Sequence, residues 1–472
     1  MTAVSSADLD KVFGADVAGD TAEARAMNSR REFVRGQTML AEASPEATGH
    51  RMAAAEALYN YGFGTLLTAV EKGQAVLVRE RAEPARTLTR YRDALGYARE
   101  HLARLAKVPV DDIVRAETPG KISSIWTLER LAIPLAIDER YLGVRDQPNG
   151  EDLGVRLREL ANGQDYPFRL SPTAVAALAE GAWVIARQRS LEAQLKRGPI
   201  FVRDRFEPDG DYGYPTYLNG YRLAAQTRDL LNLDPEAPIE SMRALVSDTL
   251  DIPLVQTKMG ASFAGATIAH GAERGIVVNI DGANQNVWVR RMTLAHELGH
   301  LLWDPAEHLN RLTVDRYDDL KVNSPERRDP VEIRANAFAI ALLAPPAAVD
   351  RIVQTANDVP SAVYEVSRHF GISVSAAQAH VGNVNRVRVV MPRPGQPAEA
   401  SDEMRATEDF TVDYFPIGNL PPSVVGRFSW VVARALVENL ISLDTAAGLL
   451  RTTPDKLDRH TLDYILALTG PR

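Results

Sequence analysis

Apolar and polar positions along the chain alternate mostly with a helical period, interrupted by short apolar runs that read as strands. From Arg31 to Lys72 the apolar positions Ala53, Leu58, Tyr61, Phe63, Leu66 and Leu67 suggest helix, with a break at Ser44-Pro45. Several short helices follow between Arg86 and Gly143: one carrying Arg99, Leu102, Ala103 and Leu105, a turn at Lys107-Val108-Pro109, a second from Val110 to Glu117, and a third around Leu128, Leu131, Leu135 and Ile137. The Gly-, Asn- and Pro-rich stretch 146–170 reads as linker. Ser171-Pro172 then supplies an N-cap and first turn for a packing helix running to Lys196-Arg197.

The middle of the chain changes texture. After helices at Tyr221–Leu231 and Ser241–Leu250, Ile252 to Val255 and Ile276 to Ile280 are short apolar runs with strand character, and Gly260–Ala266 between them reads as a turn. A helix from Trp288 to Asp304 follows at once and stops at Asp304-Pro305. The segment up to Asp329 is charged and irregular, which predicts a solvated insertion. Pro330 to Leu343 is helical with an apolar face and ends before Pro345-Pro346. Helices are also predicted at Ser361–Phe370 and Ser375–Val381, a Pro/Gly-rich linker from Met391, and a small helical domain at 402–472 with N-caps at Ser442 and Thr453. The expected class is mostly α with a small α+β core, flanked by helical N-terminal, connector and C-terminal regions.

Composition narrows the chemistry. The chain has 472 residues, long enough for roughly three domains. Its 54 Lys and Arg against 62 Asp and Glu give a net charge of −8, which does not suggest a wholesale coat for nucleic acid. It contains no cysteine, so disulfides, thiolate metal sites and cysteine nucleophiles are excluded, and a metal must be held by His, Asp or Glu. No basic-then-apolar leader and no apolar run of about 18 residues is seen, so the expectation is a cytoplasmic protein without membrane contact.

The chemistry concentrates in His296-Glu297-Leu298-Gly299-His300, an H-E-x-x-H motif. Residues four apart lie on one helical face, so both imidazoles can reach one tetrahedral Zn²⁺, with Glu297 beside them as general base. A catalytic zinc takes three protein ligands. The extended motif would need histidine at 306, where Ala306 stands, so the third ligand lies elsewhere. Asp304, His308, Asp318, Asp319 and Glu332 are the candidates. Asp304 lies two turns beyond His296, and His308 sits in a polar segment. Glu332 starts a helix whose small residues, Ala335 and Ala339, would let another helix approach.

Asn279, the run Arg291-Met292-Thr293-Leu294-Ala295-His296-Glu297-Leu298-Gly299-His300, and Glu332-Ile333-Arg334-Ala335-Asn336-Ala337-Phe338-Ala339 together resemble the ImmA/IrrE metallopeptidase family. The resemblance implies a zincin-like core over 221–395, Glu332 as the third Zn²⁺ ligand, and proteolysis of a repressor protein that relieves repression of stress-response or mobile-element genes. Within 86–145, Glu100-His101-Leu102-Ala103, Val108, Ile113, Arg115 and Glu117 resemble the helix-turn-helix of XRE-type regulators. Lys107 departs from it by standing where glycine is usual. This second resemblance implies contacts to double-stranded DNA, for which Arg99 and Arg115 are best placed, and it is compatible with a homodimer. The module carries 11 basic and 8 acidic residues, with Asp111 and Asp112 on its second helix, so its charge favours DNA only modestly. Flanking regions are expected as a helical extension at 1–85, a linker and connector helix at 146–220, and a helical domain at 396–472. The alternative reading is a DNA-binding regulator whose metal site is structural or sensory, without proteolysis.

Overall fold

The computed structural model describes residues 4–78, 80–141, 170–196, 206, 216–270, 273–309, 314–317, 329–391, 400–410 and 415–469. The chain divides into two compact units: residues 1–198 with 413–471, and residues 199–412.

The first unit begins with α1 (Ser6–Phe13) and α2 (Ala22–Asn28), each N-capped by a hydroxyl, Ser5 and Thr21. Of the helical stretch expected from Arg31 to Lys72, only the part from Ala54 onward forms as helix. Strands β1 (Glu32–Arg35), β2 (Met39–Glu42) and β3 (His50–Ala53) precede α3 (Ala54–Tyr61) and α4 (Phe63–Lys72), and β4 (Ala75–Val76) completes an antiparallel sheet of order β3-β1-β2-β4. The N-terminal region is therefore not all helical. Its strands are four residues long or shorter, too brief for alternation to register. They are held by non-local pairing that buries Phe33, Leu40 and Met52.

The short-helix region forms as expected: α5 (Glu83–Ala94), α6 (Arg99–Ala106), α7 (Val110–Ala116) and α8 (Ile125–Ala132). Leu102 and Ala103 of α6, Ile113 of α7 and Leu128 of α8 are buried, and Lys107 closes α6 in the left-handed conformation at φ 55°. Helix α9 (Pro172–Gln194) is capped by Ser171 as predicted and is buried along most of its length.

In the second unit, α10 (Thr216–Leu230) starts before the expected Tyr221. Short helical turns Met242–Ala244 and Leu245–Thr249 lead into β5 (Leu254–Thr257). The supposed turn at Gly260–Ala266 is a correction: β6 (Phe263–His270) runs through it and pairs antiparallel with β7 (Glu273–Asn279), which pairs parallel with β5. Next comes α11 (Val287–Trp303), the motif helix, N-capped by Asn286. The charged segment after it is not merely a solvated insertion, because β8 (Val314–Arg316) forms the edge of the sheet, giving the order β5-β7-β6-β8.

Helix α12 (Pro330–Leu343) forms as predicted, then α13 (Pro346–Thr355), α14 (Val359–Phe370) and α15 (Val374–Asn385). Two close approaches fix α12. A Cβ on Gly220 of α10 would lie 2.5 Å from the Arg334 carbonyl oxygen, and one on Gly299 of α11 would lie 2.7 Å from Phe338 Cδ1. Helix α12 is thus wedged between α10 and α11 at distances that only glycine permits.

A further helix, α16 (Asp402–Glu408), belongs to this unit rather than to a C-terminal domain. Glu408 accepts from the backbone N–H groups of Met242 (2.9 Å) and Arg243 (3.0 Å) and pairs with the buried Arg291 of α11. The chain then returns to the first unit with α17 (Arg427–Val437), α18 (Leu443–Leu449) and α19 (Arg459–Thr469). Arg427 reaches Glu192 of α9 at 2.8 Å, and Ser442 caps α18 as predicted. Thr453 opens only a three-residue turn, without a side-chain cap. Among the described residues no single helix is long and apolar enough to cross a membrane.

Candidate metal centre

Helix α11 is buried on nearly every side: 15 of its 17 residues are buried, including His296, Glu297 and His300. Each of these polar groups therefore needs a partner inside the protein. His300 and His296 bring their Nε2 atoms to 3.0 Å, with ring centroids 4.6 Å apart. Glu332, on the first turn of α12, completes the group: Oε2 lies 3.3 Å from His296 Nε2 and Oε1 lies 3.7 Å from His300 Nε2. The turn bearing Glu332 is fixed by Asp329, whose side chain accepts from the Val331 N–H, and by Pro330 at the helix start.

Outside this triangle, the Asp304 carboxylate accepts from His300 Nδ1–H at 2.8 Å and pairs with the buried Arg334 of α12. With Nδ1 turned to Asp304, His300 presents Nε2 to His296 and Glu332. Burial resists a charge on His300, yet the Asp304 and Glu332 carboxylates outweigh it and hold the imidazole well above its ordinary pKa. Burial likewise resists charge on Glu332, but His300 and His296 hold its carboxyl well below the usual range. The site's field thus favours positive charge at its centre.

A metal fits this geometry. Zinc–ligand bonds of about 2.0–2.2 Å at tetrahedral angles put neighbouring ligand atoms about 3.3–3.6 Å apart, and the three separations here are 3.0, 3.3 and 3.7 Å. The three residues can each offer one ligand atom to a single ion. Asp304 is not in the group. It orients His300 in the manner of an outer carboxylate partner of a metal-binding histidine. His308 lies half-buried in the turn Ala306–Leu309 and is not in the group either; Asp318 and Asp319 lie outside the described residues.

Glu297 is turned toward the sheet. Thr267 of β6 donates its hydroxyl to Glu297 Oε2 at 2.8 Å. Beside it, a Cβ on Gly265 would stand 2.8 Å from Glu297 Oε1, so a bare glycine makes room for the carboxylate. Buried Asn279 sets the path into β6 by accepting from the Met259 N–H (2.9 Å) and donating to the Gly260 and Phe263 carbonyls (2.7 Å each). Asn284 donates to the Ala264 carbonyl and accepts from the Thr293 hydroxyl of α11, tying strand to helix. Thr267, Gly265 and Asn284 were not singled out from sequence. The signal is faint, because the residues around Gly265 and Thr267 are mostly small and do not alternate.

Residues 276–381 match Peptidase_M78, the IrrE N-terminal-like domain. The match covers less than a quarter of the chain, and within it lie α11, α12 and all three residues of the triangle. It supports kinship of the M78 segment with ImmA/IrrE proteins and, with it, a peptidase of a typically metal-dependent kind. The chain matches no curated protein.

The two residues singled out for DNA contact lie outside the M78 segment, in α6 and α7. Arg99 is held by Glu117, 2.6 Å from its Nε, and Glu117 also takes Arg92 of α5. Glu117 therefore clamps three helices together. Arg115, by contrast, is exposed on α7.

Proposed function

We propose that the second unit is a zinc metalloendopeptidase in which His296, His300 and Glu332 hold the ion and Glu297 is the general base. The observation that carries this reading is the triangle of ligand atoms at 3.0, 3.3 and 3.7 Å beside a buried carboxylate that takes no part in it. A bound zinc ion supplies a water of lowered pKa and polarises the scissile carbonyl. Glu297, oriented by Thr267, takes the proton of the attacking water and delivers it to the leaving amine. Asp304 keeps the His300 lone pair directed inward. A site that served only to bind metal would have no use for an acid in the place of Glu297. The substrate we propose is a repressor protein in the cytoplasm, cleaved to release stress-response or mobile-element genes. Glu332→Ala should lose bound zinc, from about one ion per chain to a small fraction, as measured by elemental analysis of the purified protein; full zinc retention would reassign the third ligand.

A second role is favoured by α6 and α7. The left-handed Lys107 between them occupies the position where a helix-turn-helix favours glycine, and Arg115 is exposed on the following helix. We propose that this module contacts double-stranded DNA, in a protein that can pair as a homodimer. Affinity in a fluorescence-anisotropy titration on its own promoter should fall as salt rises and weaken in Arg115→Ala. Absence of salt-sensitive binding would leave the module as a protein-contact domain, and a regulator without proteolysis would then lose its support as well.

A further inference from the structure

The first unit encloses a cavity of about 430 Å³ that the peptidase reading does not use. Its size falls in the range of small-molecule sites, about 300–1,000 Å³. Its wall is drawn from stretches far apart in sequence: β1 and β3, the α6–α7 turn, α8, and the C-terminal segment around α18.

The charges on this wall are unequally satisfied. All four of its carboxylates have partners within the fold. Glu56 accepts from the Ser442 N–H at 3.0 Å and the Thr445 hydroxyl at 2.6 Å. Glu129 meets His50 Nδ1 at 2.8 Å, Glu139 accepts from Trp183 Nε1 at 3.1 Å, and Asp444 accepts from the Arg51 N–H at 3.2 Å. The cations divide: Arg140 pairs with Asp138 and Arg451 with Glu180, whereas Arg35 has no acid partner among the described residues. Arg35 is only 2% exposed, and its Nη1 donates to the Glu139 carbonyl at 2.6 Å, but Nε and Nη2 have no hydrogen-bond partner among the described residues. Both donors are also shut off from solvent, so Arg35 acts on the cavity through its positive charge and not through a free hydrogen-bond donor. The Tyr61 ring lies 5.8 Å from its guanidinium carbon.

Opposite charge is one half of what the wall offers; a flat apolar face is the other. Trp126 of α8 is 41% exposed and lies against the buried His50 ring, with centroids 5.0 Å apart and planes inclined by 30°. Exposed Arg130, one turn along α8, and Lys456 add positive charge to the same wall, and neither has an acid partner among the described residues.

We infer that this cavity binds a small ligand built from a planar aromatic ring and one anionic group, the ring on Trp126 and the anion toward Arg130 and Lys456, in the positive field of Arg35. The anion can be a phosphate or a carboxylate, since the exposed guanidinium fork of Arg130 suits both. Because Lys107, Trp126 and Arg130 come from the α6–α8 module while Asp444 and Thr445 come from the C-terminal helices, an occupant ties these elements together and adds to their stability by mass action.

Calorimetric titration of the full-length chain with four probes tests this: AMP, indole-3-acetate, adenosine and inorganic phosphate. The expected result is saturable binding of AMP or indole-3-acetate at one site per chain, at least tenfold tighter than adenosine or phosphate alone. The preferred probe of the first two tells phosphate from carboxylate. Trp126→Ala should weaken that binding at least tenfold while the circular dichroism of the free protein keeps its wild-type shape, and Arg130→Ala, at an exposed position, should do the same. No binding of either ring-bearing anion at millimolar concentration, or binding unaffected by Trp126→Ala, overturns the inference. None of these readouts depends on zinc or on peptide cleavage, so their failure leaves the peptidase reading untouched.

Discussion

At the scale of single residues, the site depends on a position with no side chain. Gly265 leaves the space that Glu297 fills, and Thr267, two residues along the same face of β6, holds the carboxylate in place. Gly265→Ala should therefore push Glu297 from its position while leaving the metal triangle alone. The expected outcome is unchanged zinc content with peptidase activity reduced on the order of 10²-fold, the scale of a small misplacement at a reacting centre. Undiminished activity would mean that the carboxylate does not need that space. His296, Glu297 and His300 were legible in the sequence because their geometry is local: a spacing of four on one helix fixes which side chains share a face. Glu332 was not legible from spacing alone and came through the resemblance of its motif. Gly265 and Thr267 were hidden because Ala261 to His270 is a run of mostly small residues with little alternation, and the strand exists only through its pairing with β7 and β8.

At the scale of elements, the same divide separates what was readable from what was not. Helices α11 and α12 carry their own caps and stops, Asn286 and Asp304-Pro305 for the first and Asp329-Pro330 for the second, so their limits are written locally. The N-terminal strands and α16 are specified at a distance. Glu408 is 117 positions from the Arg291 it pairs with, and no periodicity reports such a contact. Helix α15 shows how one buried side chain joins three elements. His380 Nε2 donates to the Ala344 carbonyl beyond α12, and its Nδ1 accepts from the Tyr221 hydroxyl of α10, both at 2.8 Å. This arrangement requires a neutral ring, and burial pushes its pKa down to about 4. An unfolded histidine titrates near 6.5, so between these values the unfolded chain binds more protons than the folded one. This contribution is complete above about pH 6.5 and declines as the pH falls toward 4, amounting to about 3 kcal/mol for the whole interval. Urea midpoints of the wild type should thus fall more steeply over pH 6.5–4 than those of His380→Gln. Parallel slopes would show that His380 is not the group responsible.

At the scale of the whole molecule, the chain forms two compact units, and the two proposed activities fall in different ones. The first combines a small sheet, the α5–α8 helices and the C-terminal helices around a cavity with an incompletely satisfied arginine. The second arranges a four-stranded sheet and helices α10 to α12 so that three ligand atoms and one separate carboxylate converge in a buried place. If the proposed function holds, this second place performs hydrolysis and does not merely bind an ion. The most direct measurement is cleavage of a co-encoded repressor by wild type and by Glu297→Gln, compared at equal zinc content. The amide keeps the size of the side chain and leaves the three ligands in place, but it cannot accept a proton at neutral pH. The account predicts a rate lower by about 10²–10⁴ with zinc unchanged, whereas equal rates for the two proteins would contradict it.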